Sequence, residues 1–472
     1  MTTGTYATAA APHAATVAHA TTATPVAAPP GGEIPALAHG VGGRQDLPIS
    51  LTELVVGAAL ALVISFLALG AHWRQARLDA DGAAGRPVPD ALARLVGSPG
   101  WAWALRALGL ALAGWFCVGL VAGPDTADNP TAGAFYVLFW VGLVPASLLF
   151  GPVWRALNPL RTVHLLAVRA LRRDPAAGLR PLPVRLGYWP AAVGLFAFVW
   201  LELVAPERAT LPVIGAWLAG YATAMLAGAV AYGAAWFDRG DAFEVLSGLV
   251  GRLAVVGRRA DGVLVWRNPL DGIAALAAAP GLVAAVVILL GSTMYDSMSN
   301  APFWLRFTQE NGLPPVLTGT GGLVAVIGLV AAAYLAATRA AGRRADAPAP
   351  HTPGELAHSI VPIATGYLVA HYYSLLVLEG QRTVALLSDP LDTGANWLGT
   401  ANWTVRTGLI TPDGVAALQI TVIVLGHLIG TVLAHDRALR LFPRDRAVRG
   451  QVPLLVLMVT YTVAGLLLLF SG

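Results

Sequence analysis

The chain has 472 residues, of which 56% are hydrophobic and only 12% charged. A soluble domain carries about a quarter charged residues, so a soluble globular protein is excluded as the main body. The single cysteine, Cys117, lies in an apolar run and excludes a disulfide scaffold. What remains is an all-α polytopic transmembrane bundle over residues 49–472, preceded by a tail, residues 1–48. The tail is rich in Ala, Thr and Pro, with charges only at Glu33, Arg44 and Asp46. Such a segment buries no core and is predicted to be disordered and extracytoplasmic. Within it Ala36-Leu37-Ala38 fits a small-x-small cleavage site. Cleavage there would make His39 a new N-terminus, whose amine and imidazole suit copper(II); the alternative is an uncleaved, translocated tail.

A spanning helix needs about 20 mostly apolar residues. Ten segments qualify: 50–72, 101–122, 133–153, 188–205, 211–236, 272–293, 315–337, 356–379, 414–434 and 451–471. They are apolar on all sides, whereas barrel strands alternate, so helices are predicted. All 30 basic residues are arginine, and 24 of them fall in the loops after spans one, three, five, seven and nine. By the positive-inside rule those loops face the cytoplasm and both termini face outward. The net charge of +4 then needs no nucleic-acid partner, because the arginines face lipid headgroups. An amphipathic stretch, Asp241 to Val256, is expected to lie along the inner surface.

Ionisable side chains inside spans are costly and mark functional candidates. Span four ends in Trp200-Leu201-Glu202, and span six is followed by Met294-Tyr295-Asp296. In span eight Tyr367, His371 and Ser374 share a face, with Glu379 further round and His358 near the inner surface. Span nine runs back through Gln419, His427, Thr431 and His435-Asp436. If the two helices are neighbours, His371 and His427 come to similar depth, and His358 and His435 to the inner side.

Glu202 and Asp296, with His371 and Glu379, are candidates to line an outward-facing polar cavity able to activate water. The simpler expectation for Asp296 is that it reaches headgroup water. For the histidines three readings stand. One is haem b held by histidines on facing helices. The spacings of 13 and 8 residues on the two helices disfavour a stacked pair of haems. Another is a zinc, copper or iron site drawn from His371, His427, His358 and His435. The third is hydrogen bonding between helices as structural glue, or a proton relay.

Two loops repeat a phrase, Val153-Trp154-Arg155 to Asn158-Pro159-Leu160 and Val265-Trp266-Arg267-Asn268-Pro269-Leu270. Asn as cap with Pro in the first turn predicts a helix start, and Trp with Arg predicts anchoring at the bilayer edge. The outer loop from Gln381 to Pro412 carries Asp389, Asp392, Asn396, Trp397, Asn402 and Trp403, and is a candidate cover for a site entrance. The chain has no phosphate-binding lysine loop, no G-x-S-x-G elbow, no H-E-x-x-H and no C-x-x-C.

Several stretches together carry a resemblance. They are His39 to Pro48, Phe150 to Pro159, Gly291 to Asn300, His371 to Gln381, and Gly426-His427 to His435-Asp436-Arg437. The chain resembles a family of bacterial integral-membrane proteins, common in actinobacteria, named fenitrothion hydrolase. The resemblance covers residues 39–472 and implies cleavage of an organophosphate triester, an apolar small-molecule substrate, to a nitrophenol. It implies no particular catalytic residues. From the residues themselves, His371 and His427 are the expected bases or ligands, with Glu202 and Glu379 as carboxylate partners. A metal- or haem-handling membrane protein and a subunit of a larger membrane complex are the alternative expectations.

Overall fold

A computed structural model describes residues 50–346, 351–443 and 445–470. The tail, its cleavage site and His39 lie outside the described residues. Ten helices among the described residues are long and apolar enough to cross a membrane. They are α1 (Leu51–His72), α2 (Pro99–Ala122), α3 (Thr131–Phe150), α4 (Trp189–Leu203) and α5 (Leu211–Tyr232). These are followed by α6 (Leu282–Ser299), α7 (Pro315–Arg344), α8 (Thr352–Leu386), α9 (Pro412–Leu441) and α10 (Val452–Leu469). The bundle is the expected all-α architecture. One small antiparallel sheet was not expected: β1 (Arg86–Pro87), β2 (Val256–Arg258) and β3 (Leu264–Trp266), in the order β1-β3-β2.

Local chemistry sets the helix ends. Ser50 accepts from the Glu53 amide while the Glu53 carboxylate accepts from the Ser50 amide, a reciprocal cap on α1. Asn158 and Asn268 both cap the helices that follow them, as the repeated phrase predicts. Span six departs from expectation. Residues 269–274 form a separate short helix, and Pro280 with left-handed Gly281 (φ 76°) ends the connection, so α6 begins only at Leu282. The helix therefore runs on to Ser299, and Asp296 falls inside its last turn instead of beyond its end.

Helix α8 is the hub: 78% of its apolar stretch is buried, against 11% for α2, most of whose surface the bundle leaves uncovered. Lipid tails give no hydrophobic gain on helix association, so close backbone packing must hold the helices together. On α8 and α9 glycines supply it. A methyl on Gly366 would lie 2.5 Å from the Val422 carbonyl oxygen, and one on Gly426 2.7 Å from that of Pro362. Gly430, one turn from Gly426, meets the Ser359 carbonyl in the same way. Hydrogen bonds add to this: Gln419 donates to the Ala370 carbonyl (3.1 Å), Tyr367 to that of Tyr461 (3.2 Å) and Tyr461 to that of Val330 (2.9 Å).

The connections after odd-numbered helices interlock at one end. Strand β1 follows α1 and pairs with β3, which follows α5. The Asp436 carboxylate at the foot of α9 accepts from Trp73 and from the amides of Arg77 and Leu78. Arg437 pairs with Glu355 at 2.8 Å, and Arg440 donates to the Leu78 carbonyl. The even-numbered connections meet at the opposite end, where Asp125 accepts from the Leu211 amide and Arg382 approaches Asp128. The arginine alternation in the sequence thus corresponds to two distinct ends of the bundle.

Most of the stretch from Asp241 to Val256 does not lie on a surface; Val255 near its end does. Its helix, Ala242–Val250, is buried on nearly every side, including Phe243, Val245, Leu246, Leu249 and Val250. Its one acid, Glu244, enters the core because Arg161 meets it with two hydrogen bonds, 2.6 and 3.1 Å. Arg161 also holds Asp238 at 2.8 Å, and Asn158 donates to Asp241 at 3.0 Å. Burial pushes the Glu244 carboxyl up to about 7, against the pull of Arg161. The native protein then keeps a proton that the unfolded chain releases. The stability from this group is complete below pH 4.5 and is lost as pH rises through about 7. The melting temperature is expected to fall over that interval, and less steeply in Glu244→Gln. Parallel pH curves for the two proteins would remove Glu244 as the cause.

Candidate functional site

Four helices bring polar side chains together near the end opposite the arginine-rich loops. From α6, Asp296 is 1% exposed; from α8, His371 and Tyr372 are 8% and 4% exposed; from α4, Glu202 is 8% exposed. His371 Nε2 lies 2.8 Å from Asp296 Oδ2. The Tyr372 hydroxyl donates to the same oxygen, also at 2.8 Å. The His371 and Tyr372 rings stand edge to face, 4.8 Å apart. On its other side Tyr372 meets the Glu202 carboxyl, which the Trp140 indole flanks.

The backbone explains the convergence. The Asp296 carbonyl accepts from Ser299 and Asn300, which closes the end of α6 with the carboxyl directed inward. The middle of α3 is a π-helix, Ala134–Val141, which carries Tyr136 and Trp140. Such segments are rare and recur at functional sites. Tyr136 donates to the Arg208 carbonyl at 2.8 Å and fixes the loop whose guanidinium attracts Glu202.

The chemistry follows from counting protons. A tyrosine hydroxyl has one proton to give, and Tyr372 stands between two carboxyls. The hydroxyl gives that proton to Asp296, so a hydrogen bond between Tyr372 and Glu202 requires a proton on the Glu202 carboxyl. The group therefore places an imidazole, a phenol and two carboxyls close together in a low-dielectric interior.

Of the residues singled out from sequence, His371 and Glu202 belong to this network, and Asp296 is its centre instead of a surface group. Glu379 is two turns further along α8, partly exposed, and faces Arg382 at 3.8 Å. His427 is not paired with His371: its Nδ1 bonds the Ile423 carbonyl at 2.9 Å and its ring packs on Tyr367. His358 bonds the Glu355 carbonyl at 3.0 Å. His435 is tied at both nitrogens, to Gln451 (3.1 Å) and the Trp73 carbonyl (2.9 Å). Tyr136, Trp140, Tyr372 and Arg208 were not anticipated; only the position of Tyr372, next to His371, offered a signal.

The expected metal and haem sites do not fit this arrangement. No group of three or more His, Cys, Asp or Glu suited to a metal ion occurs among the described residues. A haem between His371 and His427 would have to part α8 and α9, whose backbones touch at Gly366 and Gly426. No family model matches the chain, and neither does any curated protein or solved structure.

Proposed function

We propose that the chain is a multi-pass membrane protein of the bacterial plasma membrane, its arginine-rich end cytoplasmic, that moves protons through the Glu202–Tyr372–Asp296–His371 network. The observation that carries this reading is the double contact at Asp296 Oδ2, where an imidazole and a phenol meet one buried carboxyl oxygen at 2.8 Å. Ionisable groups held at such depth in a bundle are a feature of proton pathways. A relay needs neighbouring groups in close approach: His371 and Tyr372 each lie 2.8 Å from Asp296 Oδ2, and Tyr372 also interacts with Glu202. His371 exchanges a proton with Asp296, and Tyr372 passes one between Asp296 and Glu202.

The second reading is hydrolysis of an organophosphate triester, which the family resemblance implies. Its support is the same His371–Asp296 pair. A carboxylate behind an imidazole orients it as a general base, to take a proton from water as the water oxygen attacks phosphorus and nitrophenolate leaves. Asp296 and Tyr372 are then positioning residues for His371. The near-complete burial of the four side chains favours proton movement over entry of a bulky triester.

Both readings are tested in one preparation, the protein reconstituted into liposomes. Proton flux under an imposed pH gradient and nitrophenol release from fenitrothion are measured for wild type, His371→Ala, Asp296→Asn and Tyr372→Phe. The proposal expects flux in the wild type and a loss of about a hundredfold in each variant, the scale of a missing acid–base group. Nitrophenol release that depends on His371 without flux would replace it with the hydrolase reading. Absence of both activities would leave a structural role in a larger membrane complex.

A further inference from the structure

We propose that the three-stranded sheet at the arginine-rich end binds the phosphate headgroup of an anionic phospholipid. Beside β1 and β3 lies an open cavity of about 440 Å³, lined by Gly85, Arg86, Val255, Trp266, Arg267 and Asn268. Arg267 is built into it. Its guanidinium is wedged between two glycines: a methyl on Gly272 would lie 2.6 Å from the guanidinium carbon, and one on Gly257 2.5 Å from Nε. Nε and Nη2 donate to the carbonyls of Ala254, Gly251 and Arg252, at 3.2 to 3.4 Å. Among the described residues Nη1 has no protein acceptor.

The charge of this region is not balanced. Among the described residues neither Arg86, Arg252 nor Arg267 forms an ion pair. Burial, and then Arg252 beside it, holds the Arg267 guanidinium below the usual arginine value, with Asp271 acting the other way from beyond ion-pair distance. The donors left over are Arg86, Arg267 Nη1 and the Asn268 amide, whose oxygen already accepts from the Leu270 amide. Three donors around one open cavity suit a phosphate.

Position and apolar rim select a lipid over a soluble phosphate. Gly251, one of the acceptors for Arg267, packs on Gly151, which ends α3; a methyl on Gly251 would sit 2.7 Å from the Gly151 carbonyl carbon. The cavity therefore lies at the depth where a span meets the headgroup layer. Trp266 and Val255 at its mouth are 46% and 50% exposed, an aromatic and an aliphatic side chain suited to the glycerol and upper acyl region. Basic pockets at the ends of spanning helices are a known form of lipid recognition. This inference does not depend on the proton network, which lies toward the other end of the bundle.

The test is native mass spectrometry of the full chain in detergent, titrated with dioleoyl phosphatidylglycerol, with dioleoyl phosphatidylcholine, or with inorganic phosphate. The wild type is expected to retain phosphatidylglycerol over phosphatidylcholine. Arg86→Gln and Arg267→Gln are each expected to weaken that retention by about fivefold, the effect of one arginine at an anionic surface. Arg86→Gln removes no bond to the backbone by its side chain, so it reports binding even if Arg267→Gln fails to fold. Equal retention of the two lipids, or unchanged retention in Arg86→Gln, would overturn the proposal. Saturable inorganic phosphate binding without lipid preference would overturn it in favour of a soluble anion.

Discussion

Replacing His371 with alanine is expected to destabilise the bundle by about 3–5 kcal/mol, the cost of leaving a buried charge without its partner. Asp296 is 1% exposed, and its Oδ2 would lose the imidazole while keeping the Tyr372 hydroxyl. Adding Asp296→Asn to the same chain removes the charge that His371 balanced and is expected to recover most of the loss. Asp296→Asn alone is expected to cost less than His371→Ala, because an amide oxygen still accepts from both neighbours. Denaturant unfolding of the two single variants and the double variant measures the coupling. Additive effects would mean that the imidazole and the carboxyl do not act as a pair.

Gly366→Leu is expected to be as damaging, through packing alone. The side chain would enter the space of the Val422 carbonyl, and a rigid helix backbone cannot yield as a side chain can. Even a methyl there is expected to cost about 1–3 kcal/mol, the usual range for overpacking, and leucine more. Since α8 carries His371 and Tyr372, parting α8 from α9 also displaces the network from Asp296. Melting of the purified variants should therefore rank wild type above Gly366→Ala above Gly366→Leu. An unchanged melting temperature in Gly366→Leu would show that the two helices are not in backbone contact.

The same contrast between composition and geometry explains what the sequence made visible. Bilayer thickness demands length and apolarity, so ten spans could be counted without knowing any contact. Their ends were less visible. The break at Pro280-Gly281 moved α6 by several residues along the chain, and that shift turned Asp296 from a surface acid into the centre of the site. His371 and His427 do come from touching helices, but equal depth does not fix azimuth: His371 turns to α6, His427 to its own backbone and Tyr367. Glu202 and His371 stood out because charge inside a span is costly. Tyr136 and Trp140 did not, because an aromatic run is ordinary in a membrane helix and a π-helical turn has no compositional mark. The burial of Ala242–Val250 was hidden for a similar reason, since its partner Arg161 lies far off in the chain.

In the proposed relay one proton is shared between two carboxyls through Tyr372. This sharing is tested most directly by infrared spectroscopy of the protein in lipid at neutral pH, following the C=O stretch of protonated carboxylic acids in H₂O and D₂O. Such a band is expected in the wild type, shifted by deuterium, altered in Tyr372→Phe and lost in the Glu202→Gln/Asp296→Asn double variant. A wild-type spectrum with no protonated-carboxyl band, or a band untouched by these substitutions, would contradict it.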